Sequence, residues 1–300
     1  MKRLYEHILN GIKGSRLFYD PKRQGTFENY LISLQTSVRE LRKSYWSNFV
    51  VVDYARPSIQ ASYLITYYPH YAQMTLEILR LLWSEFSCDR EVKACFFGAG
   101  PCPELVGLTQ FLGDRSPKTR TLIANIYDIA AQRWTPSRLI TQNYIIPKSW
   151  RGKLFLNSEK LDFGQKSAFE NIQSIVQSQK LFVFQNCFNE IIDRSILLEN
   201  INFLFDNAST DSFIIIADLL YPHNLIIFEE IDEMVDVREE IEVLQAGTLR
   251  VTSSLPIPQI LKNNLLTGED GLIPRSRINF RFLALRKGDR ISHNYDDIPF

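Results

Sequence analysis

The residues with the clearest chemical potential lie in the sequence CFFGAGPCPEL, where an apolar run leads into Gly98 and Gly100 and then into Pro101 and Pro103. Glycine allows the backbone to approach a ligand closely because it carries no Cβ. Prolines suit the first turn of a helix, where backbone N–H groups have no partner within the helix. This turn is therefore predicted to hold a cofactor at the end of a strand.

Two common phosphate-binding motifs differ from this turn. The dinucleotide fingerprint requires Gly-x-Gly-x-x-Gly or Ala, and the third position is Pro103, which is too bulky for close helix–strand packing. A P-loop requires Gly-Lys-Ser or Gly-Lys-Thr, and neither follows. Pyrophosphate binding is therefore disfavoured, which weakens the alternative of an NAD-dependent dehydrogenase with the same architecture.

The turn has the order strand, Gly-x-Gly-Pro-x-x-Glu, helix. This order resembles the first motif of the class I S-adenosylmethionine-dependent methyltransferases. The resemblance covers residues 90–220 closely and the terminal strand loosely. It implies S-adenosylmethionine as the cofactor and transfer of its methyl group to a nucleophile. The cofactor supplies the chemistry, so the absence of a catalytic triad is no objection to an enzyme.

The resemblance also assigns roles at later strand ends. The acid that pairs with the ribose hydroxyls matches Asp128, and the acid near the adenine amino group matches Asp162, with Leu161 and Phe163 sandwiching the base. The fourth strand end, which faces the methyl group, supplies two further residues. The implied cofactor-binding residues are Gly98, Ala99, Gly100, Pro101, Glu104, Asp128, Ile129, Leu161, Asp162, Gln185 and Asn186. The catalytic residues are not identified; the candidates are Asn186, Gln185 and Tyr67.

Some of these residues have a purely structural alternative. Asp128 would serve equally as the N-cap of a helix beginning at Ile129, and Glu104 would favour a helix N-terminus through the macrodipole. The tyrosines of YLITYYPHY either close over the methionine end of the cofactor or belong to the core. His70 in this stretch is expected to be a surface or capping residue.

The elements that must position these residues form a doubly wound sheet. Five short apolar runs read as strands buried on both faces, and helix-compatible segments separate them. These runs are Val92–Phe97, Thr121–Tyr127, Lys153–Leu156, Leu181–Phe184 and Phe213–Ala217. Two later strands are predicted at Thr248–Ser253 and Asn279–Arg286. The fold class is therefore α/β, with a mostly parallel seven-stranded sheet.

The first part of the chain has a helical pattern instead. Leu31, Leu34, Val38 and Leu41 share one helical face, and apolar residues in YAQMTLEILRLLW (Met74, Ile78 and Leu81) share another. We therefore divide the chain into residues 1–86, a helical lid or substrate region, and residues 87–300, the S-adenosylmethionine-binding domain.

The amino-acid composition limits the classes of partner that this protein is expected to bind. Basic and acidic residues number 34 each, so bulk charge indicates no polyanionic partner. Locally, residues 1–24 carry six bases and two acids, whereas residues 229–242 carry eight acids and one Arg. The four cysteines and four histidines have no metal-ligand spacing, and no signal peptide or membrane span is predicted. A cytoplasmic location without a metal follows as the default.

The methyl acceptor is the least determined part. The acidic segment 229–242, if it flanks the substrate entrance, would favour neutral or cationic substrates, whereas the basic N-terminus favours an RNA or ribosomal partner. A small molecule or a protein side chain is slightly preferred over RNA. The alternative is a methyltransferase-like, non-catalytic interaction or assembly module.

Overall fold

The computed structural model describes residues 1–45, 52–86 and 88–289. The described chain begins with helices α1–α6, which span Leu4–Ser15, Pro21–Gln24, Phe27–Ser33, Gln35–Tyr45, Pro57–Thr66 and Tyr68–Leu81. The later helices α7–α13 span Pro103–Arg115, Thr135–Ile140, Ile146–Ser149, Gln173–Val176, Arg194–Asn207, Pro222–Asp236 and Gln259–Asn264. Strands β1–β7 span Glu91–Phe97, Thr121–Asp128, Lys153–Lys160, Leu181–Gln185, Phe213–Leu219, Ile241–Thr252 and Arg277–Lys287.

The described strands form one sheet in the order β3-β2-β1-β4-β5-β7-β6. The first five strands in chain order run parallel to one another, and β7 pairs antiparallel with both β5 and β6. The predicted fold class, a mostly parallel seven-stranded α/β sheet, is therefore confirmed. Because the chain reverses its strand order beside β1, the ends of β1 and β4 open a crevice suited to a ligand.

One detail of the strand prediction is wrong. β3 was expected to be buried on both faces, but it is the edge strand and its residues are exposed or half-buried in alternation. An edge strand has one neighbour and less cover from helices, so its central residues, such as Phe155, remain exposed. β1, β2, β4 and β5 have the predicted continuous burial over most of their length.

The helices of the first 86 residues pack on one face of the sheet. Phe96 of β1 belongs to the same buried apolar cluster as Leu31 and Val38, whereas Phe97 points into the cluster on the opposite face. The alternation of side chains along a strand produces this division. Leu34, Leu41, Met74 and Ile78 are buried as predicted, but Leu81 at the end of α6 is exposed.

Candidate functional site

A cavity of about 220 Å³ lies at the carboxyl ends of the parallel strands. Eight of the eleven predicted cofactor-binding residues line it: Gly98, Gly100, Pro101, Asp128, Ile129, Leu161, Asp162 and Asn186. The other three predicted residues, Ala99, Glu104 and Gln185, are buried and do not line the cavity. The segments that supply the lining are far apart in the sequence and meet only because parallel strands end at one edge of the sheet.

The turn after β1 depends on its two glycines. Gly98 and Gly100 have φ angles of +61° and +50°, which residues with a side chain rarely adopt. A Cβ on Gly98 would lie 2.5 Å from the Cβ of Cys187, and one on Gly100 would lie 3.1 Å from the ring of Trp134. Both positions are thus constrained in conformation and in space, at the place where the backbone borders the cavity.

Asp128 links the ends of β1 and β2. The backbone N–H of Gly100 donates to Oδ2 of Asp128 at 2.9 Å, and the N–H of Ala130 donates to Oδ1 at 2.6 Å. Burial raises the pKa of this carboxyl, and the two N–H groups oppose the rise. The next helix, α8, begins only at Thr135, so Asp128 does not cap a helix at Ile129. It closes a tight turn and borders the cavity.

The segment after β3 forms an apolar wall of the cavity. Leu161 and Phe163 both line it and are largely buried. Asp162 lies between them, and its Oδ1 accepts the backbone N–H of Gly164 at 3.0 Å. Two apolar side chains beside a turn-stabilising carboxylate can accommodate a flat ring with polar edges.

Gln185 and Glu104 form a buried polar pair beneath the turn. The hydroxyl of Thr75 donates to Oε1 of Gln185 at 2.7 Å, and Nε2 of Gln185 donates to the Tyr71 carbonyl at 3.0 Å. The same Nε2 lies 3.4 Å from Oε1 of Glu104, whose other oxygen has no hydrogen-bond partner. Burial raises the pKa of Glu104 to about 8. This pair therefore supports the floor of the site from below.

Asn186, immediately after β4, does reach the cavity. Its backbone has a φ of +54°, in the left-handed region, and its Nδ2 lies 3.6 Å from Sδ of Met74. Its Oδ1 is buried without a hydrogen-bond partner. A buried amide oxygen without a partner is costly, and a ligand donor would satisfy it.

The aromatic stretch before β1 is split between core and cavity. Tyr63 and Tyr71 line the cavity, whereas Tyr68 is fully buried and bonded to Thr141 at 2.6 Å. Tyr67, a catalytic candidate, lies outside the cavity lining, and its ring centroid is 4.8 Å from that of Tyr45, which does line the cavity. The aromatic residues thus form a layer beside the site.

The expectation that His70 lies at the surface is wrong. It is buried within α6, and burial lowers its pKa to about 3, so the ring is neutral. Nε2 of His70 lies 3.4 Å from the hydroxyl of Tyr5. This contact joins α1 to α6, and His70 does not line the cavity.

Two acidic residues of the lining were missed by the sequence analysis. Glu190 accepts the hydroxyl of Tyr54 at 3.3 Å, and that hydroxyl lies 3.0 Å from the hydroxyl of Tyr45. Asp218, at the end of β5, accepts the backbone N–H of Phe188 at 3.0 Å. Burial raises the pKa of Asp218 to about 7. Glu190 keeps an exposed surface, and desolvation by the residues packed around its carboxyl, together with the nearby Asp128, raises its pKa to about 7. A strand-end position is the signal that could have identified Asp218.

The C-terminal part of the acidic segment 229–242 lies at the other end of the sheet. Ile241 pairs with Lys287, next to Arg286, which pairs with Phe213 at the start of β5. The cavity is at the opposite end of β5, beside Asp218, and no residue of the segment is among its lining residues. The segment therefore does not line the cavity; its first acids lie on α12, where Asp232 pairs with Arg281, the register partner of Asp218.

Comparisons with known proteins gave structural similarity without sequence similarity. No family model and no curated protein matched this sequence. A solved structure provisionally named a class I S-adenosylmethionine-dependent methyltransferase, from Listeria monocytogenes, is 11% identical, with a TM-score of 0.49 over 97% of this chain and 90% of its own. The precorrin-6y C5,15-methyltransferase of Geobacter metallireducens is 11% identical, with a TM-score of 0.40 over 70% and 89%. Phosphoethanolamine N-methyltransferase 2 of Haemonchus contortus is 13% identical, with a TM-score of 0.42 over 88% and 60%.

Within the described part of the chain, no helix is long and apolar enough to cross a membrane.

Proposed function

We propose that this protein transfers a methyl group from S-adenosylmethionine to an acceptor bound in the same cavity. The observation that carries the proposal is that, among the described residues, acidic side chains line the cavity and basic ones do not. Its described lining includes the carboxyl groups of Asp128, Asp162, Glu190 and Asp218 but no Lys or Arg. Such a lining suits the sulfonium and ammonium groups of S-adenosylmethionine and would repel the two phosphates of a dinucleotide.

The residues around the cavity also fit the neutral parts of this cofactor. Asp128 stands where ribose hydroxyls would be held, and Leu161 and Phe163 offer apolar surfaces to an adenine ring. The Oδ1 of Asn186 has no hydrogen-bond partner and can accept a hydrogen bond from the cofactor. When bound, the cofactor supplies an activated methyl group on a positively charged sulfur. The protein contributes orientation, exclusion of water and a place for the acceptor's proton.

We assign Glu190 as the general base that accepts this proton from the acceptor. Its carboxylate lines the cavity, and Tyr54 and Tyr45 hold it in a short hydrogen-bonded chain. A pKa raised to about 7 lets the carboxylate accept a proton from a hydroxyl or an amine at neutral pH. Asn186, Gln185 and Tyr67 remain candidates from the sequence, and Asn186 is the one that borders the cavity.

The acceptor that we propose is a small molecule, in preference to a protein side chain or RNA. The cavity has a volume of about 220 Å³, and the aromatic side chains of Tyr45, Tyr54, Tyr63 and Tyr71 flank it. Helices α4, α5 and α6 supply Tyr45, Tyr63 and Tyr71 of this flank, and residues 1–86 would then act as the lid or substrate region of the protein. We place the protein in the cytoplasm as a working expectation.

Calorimetric titration with S-adenosylmethionine, S-adenosylhomocysteine and NAD tests the proposal. We expect micromolar binding of the first two and none of NAD. Gly100→Val should abolish binding in a folded protein, because its side chain would collide with Trp134. Tight NAD binding would contradict the proposal, and failure of a folded protein to bind any of the three would favour a non-catalytic interaction module.

A further inference from the structure

A second concave surface lies beyond the cavity, separated from it by Tyr67 and Tyr71, which we call the tyrosine layer. We call it the basic groove; its volume is about 800 Å³, and helix α4 and the loop before β7 form its walls. Four basic residues line it, and among the described lining residues Asp270 is the one carboxylate. The basic residues are Arg39, Arg42, Lys43 and Arg275. We propose that the basic groove binds the phosphate or carboxylate group of a small anionic molecule.

The cations of the groove are held in place without being neutralised. The guanidinium of Arg275 lies over the ring of Tyr67, 5.1 Å from its centroid, and Arg42 donates to the carbonyl of Ile273. Ring and carbonyl contacts fix a guanidinium but leave its charge in place. Arg39 is the exception, since it lies 3.7 Å from the carboxylate of the exposed Asp270.

Among the described residues, no ion pair involves Arg42, Lys43 or Arg275. Burial lowers the pKa of Arg42, the nearby Arg275 lowers it further, and Tyr67 opposes the change. Two guanidinium groups therefore repel each other in a partly buried place. A bound anion would relieve this repulsion and could accept paired N–H groups from each arginine.

The extent of the groove favours a small ligand over a nucleic acid. A nucleic acid needs a track of cations that follows successive phosphates. The six basic residues of the N-terminal 24 residues do not line the groove, so the described cation cluster is short. A single phosphate or carboxylate, carried by a molecule with an apolar part, matches both the charges and the surrounding Ile273 and Pro274.

The groove and the cavity share the tyrosine layer. Tyr67 lines the groove, Tyr71 lines the cavity, and their ring centroids are 6.0 Å apart. Arg275 also lies 6.0 Å from the Tyr71 ring. An anionic group in the groove thus lies one layer of side chains from the proposed methyl-transfer cavity. Anion binding itself does not depend on the proposed function.

The test is calorimetric titration of the full chain with inorganic phosphate and pyrophosphate at constant ionic strength. We expect saturable binding that Arg275→Gln weakens by about tenfold or more, as expected for loss of a charge-assisted hydrogen bond. Arg275→Lys keeps the charge and should recover part of the affinity. The matched control is Arg115→Gln, which removes an exposed charge from the end of α7, outside the groove.

Thermal unfolding of each variant verifies that it folds, and S-adenosylhomocysteine titration reports on the cavity separately. Unchanged S-adenosylhomocysteine binding together with lost phosphate binding in Arg275→Gln would support the groove whatever the reaction. The inference is overturned if phosphate does not saturate wild-type protein, or if Arg115→Gln weakens binding equally. A short single-stranded RNA is titrated as well. If it binds more tightly than phosphate, competes with phosphate and loses its binding in Arg275→Gln, the groove binds RNA and the small-ligand proposal is wrong.

Discussion

Replacing Glu104 by Gln should change how the stability of this protein depends on pH. Glu104 is 2% exposed and lies beneath the turn, with one oxygen 3.4 Å from Nε2 of Gln185 and the other without a partner. Burial raises its pKa from 4.5 to about 8. The folded protein therefore keeps this carboxyl protonated at pH values where the unfolded chain has already lost the proton.

The sign follows from proton linkage. Between the unfolded pKa of 4.5 and the folded pKa of about 8, the folded state binds more protons, so stability falls as the pH rises. Each unit of difference is worth about 1.4 kcal/mol, which sets an upper limit on the order of 5 kcal/mol for the whole window. Gln cannot ionise, so Glu104→Gln should escape this loss.

Urea unfolding of both proteins at pH 5, 6, 7, 8 and 9 measures the effect. We expect the stability of Glu104→Gln relative to wild type to increase with pH up to about 8 and then to level off. The matched control is Glu28→Gln, which removes an exposed carboxyl, and the pH dependence of Glu104→Gln is compared with it. A flat difference for Glu104→Gln would refute the placement of a buried, protonated carboxyl there.

Three further outcomes follow from the same structure. Gly98→Ala should cost about 2–4 kcal/mol of stability in urea unfolding, because of its positive φ and the collision with Cys187. The control Gly268→Ala has a positive φ but open space around it, so it should cost less. Equal costs for the two variants would count against the collision. The affinity for S-adenosylmethionine relative to S-adenosylhomocysteine, measured by calorimetry, should rise about threefold from pH 6 to pH 8 as Glu190 ionises through its pKa of about 7. Asp218 lines the same cavity with a pKa of about 7, so Glu190→Gln should reduce that rise without abolishing it, and an unaltered profile would remove Glu190 from the account. Glu104→Gln should leave S-adenosylhomocysteine affinity within about threefold, because Glu104 does not line the cavity.

The sheet could be predicted from sequence because burial on both faces leaves a clear pattern. β1 and β5 are such strands, and each was located to within about two residues of its observed ends. β3 shows the limit of the pattern. Its apolar residues suggested a central strand, but position within a sheet depends on neighbours that lie far away in the chain.

The turn and Asp128 could be predicted because their constraints are local. A positive φ favours glycine at positions 98 and 100, and the acid lies directly at the end of β2. Glu190 and Trp134 could not be found in this way. Glu190 ends a short 3₁₀ turn after β4 and Trp134 lies in the turn before α8, and only the assembled fold brings them to the cavity.

Runs of like charge along the chain were the least reliable guide to the charge of the site. The acidic segment 229–242 supplies none of the described residues that line the cavity. The acids that do line the cavity, such as Asp218, are isolated in sequence. The cations of the basic groove come from α4 and from the loop at Arg275, more than two hundred residues away. Local charge runs therefore say little about the charge of a site assembled from distant segments.

The most direct test of the central claim is a crystal structure of the protein with S-adenosylhomocysteine. We expect the ligand in the cavity beside Gly98 and Gly100, its ribose hydroxyls on Asp128 and its adenine between Leu161 and Phe163. Ligand density at any other place, or an empty cavity at saturating concentration, would contradict the proposal that this protein is an S-adenosylmethionine-dependent methyltransferase.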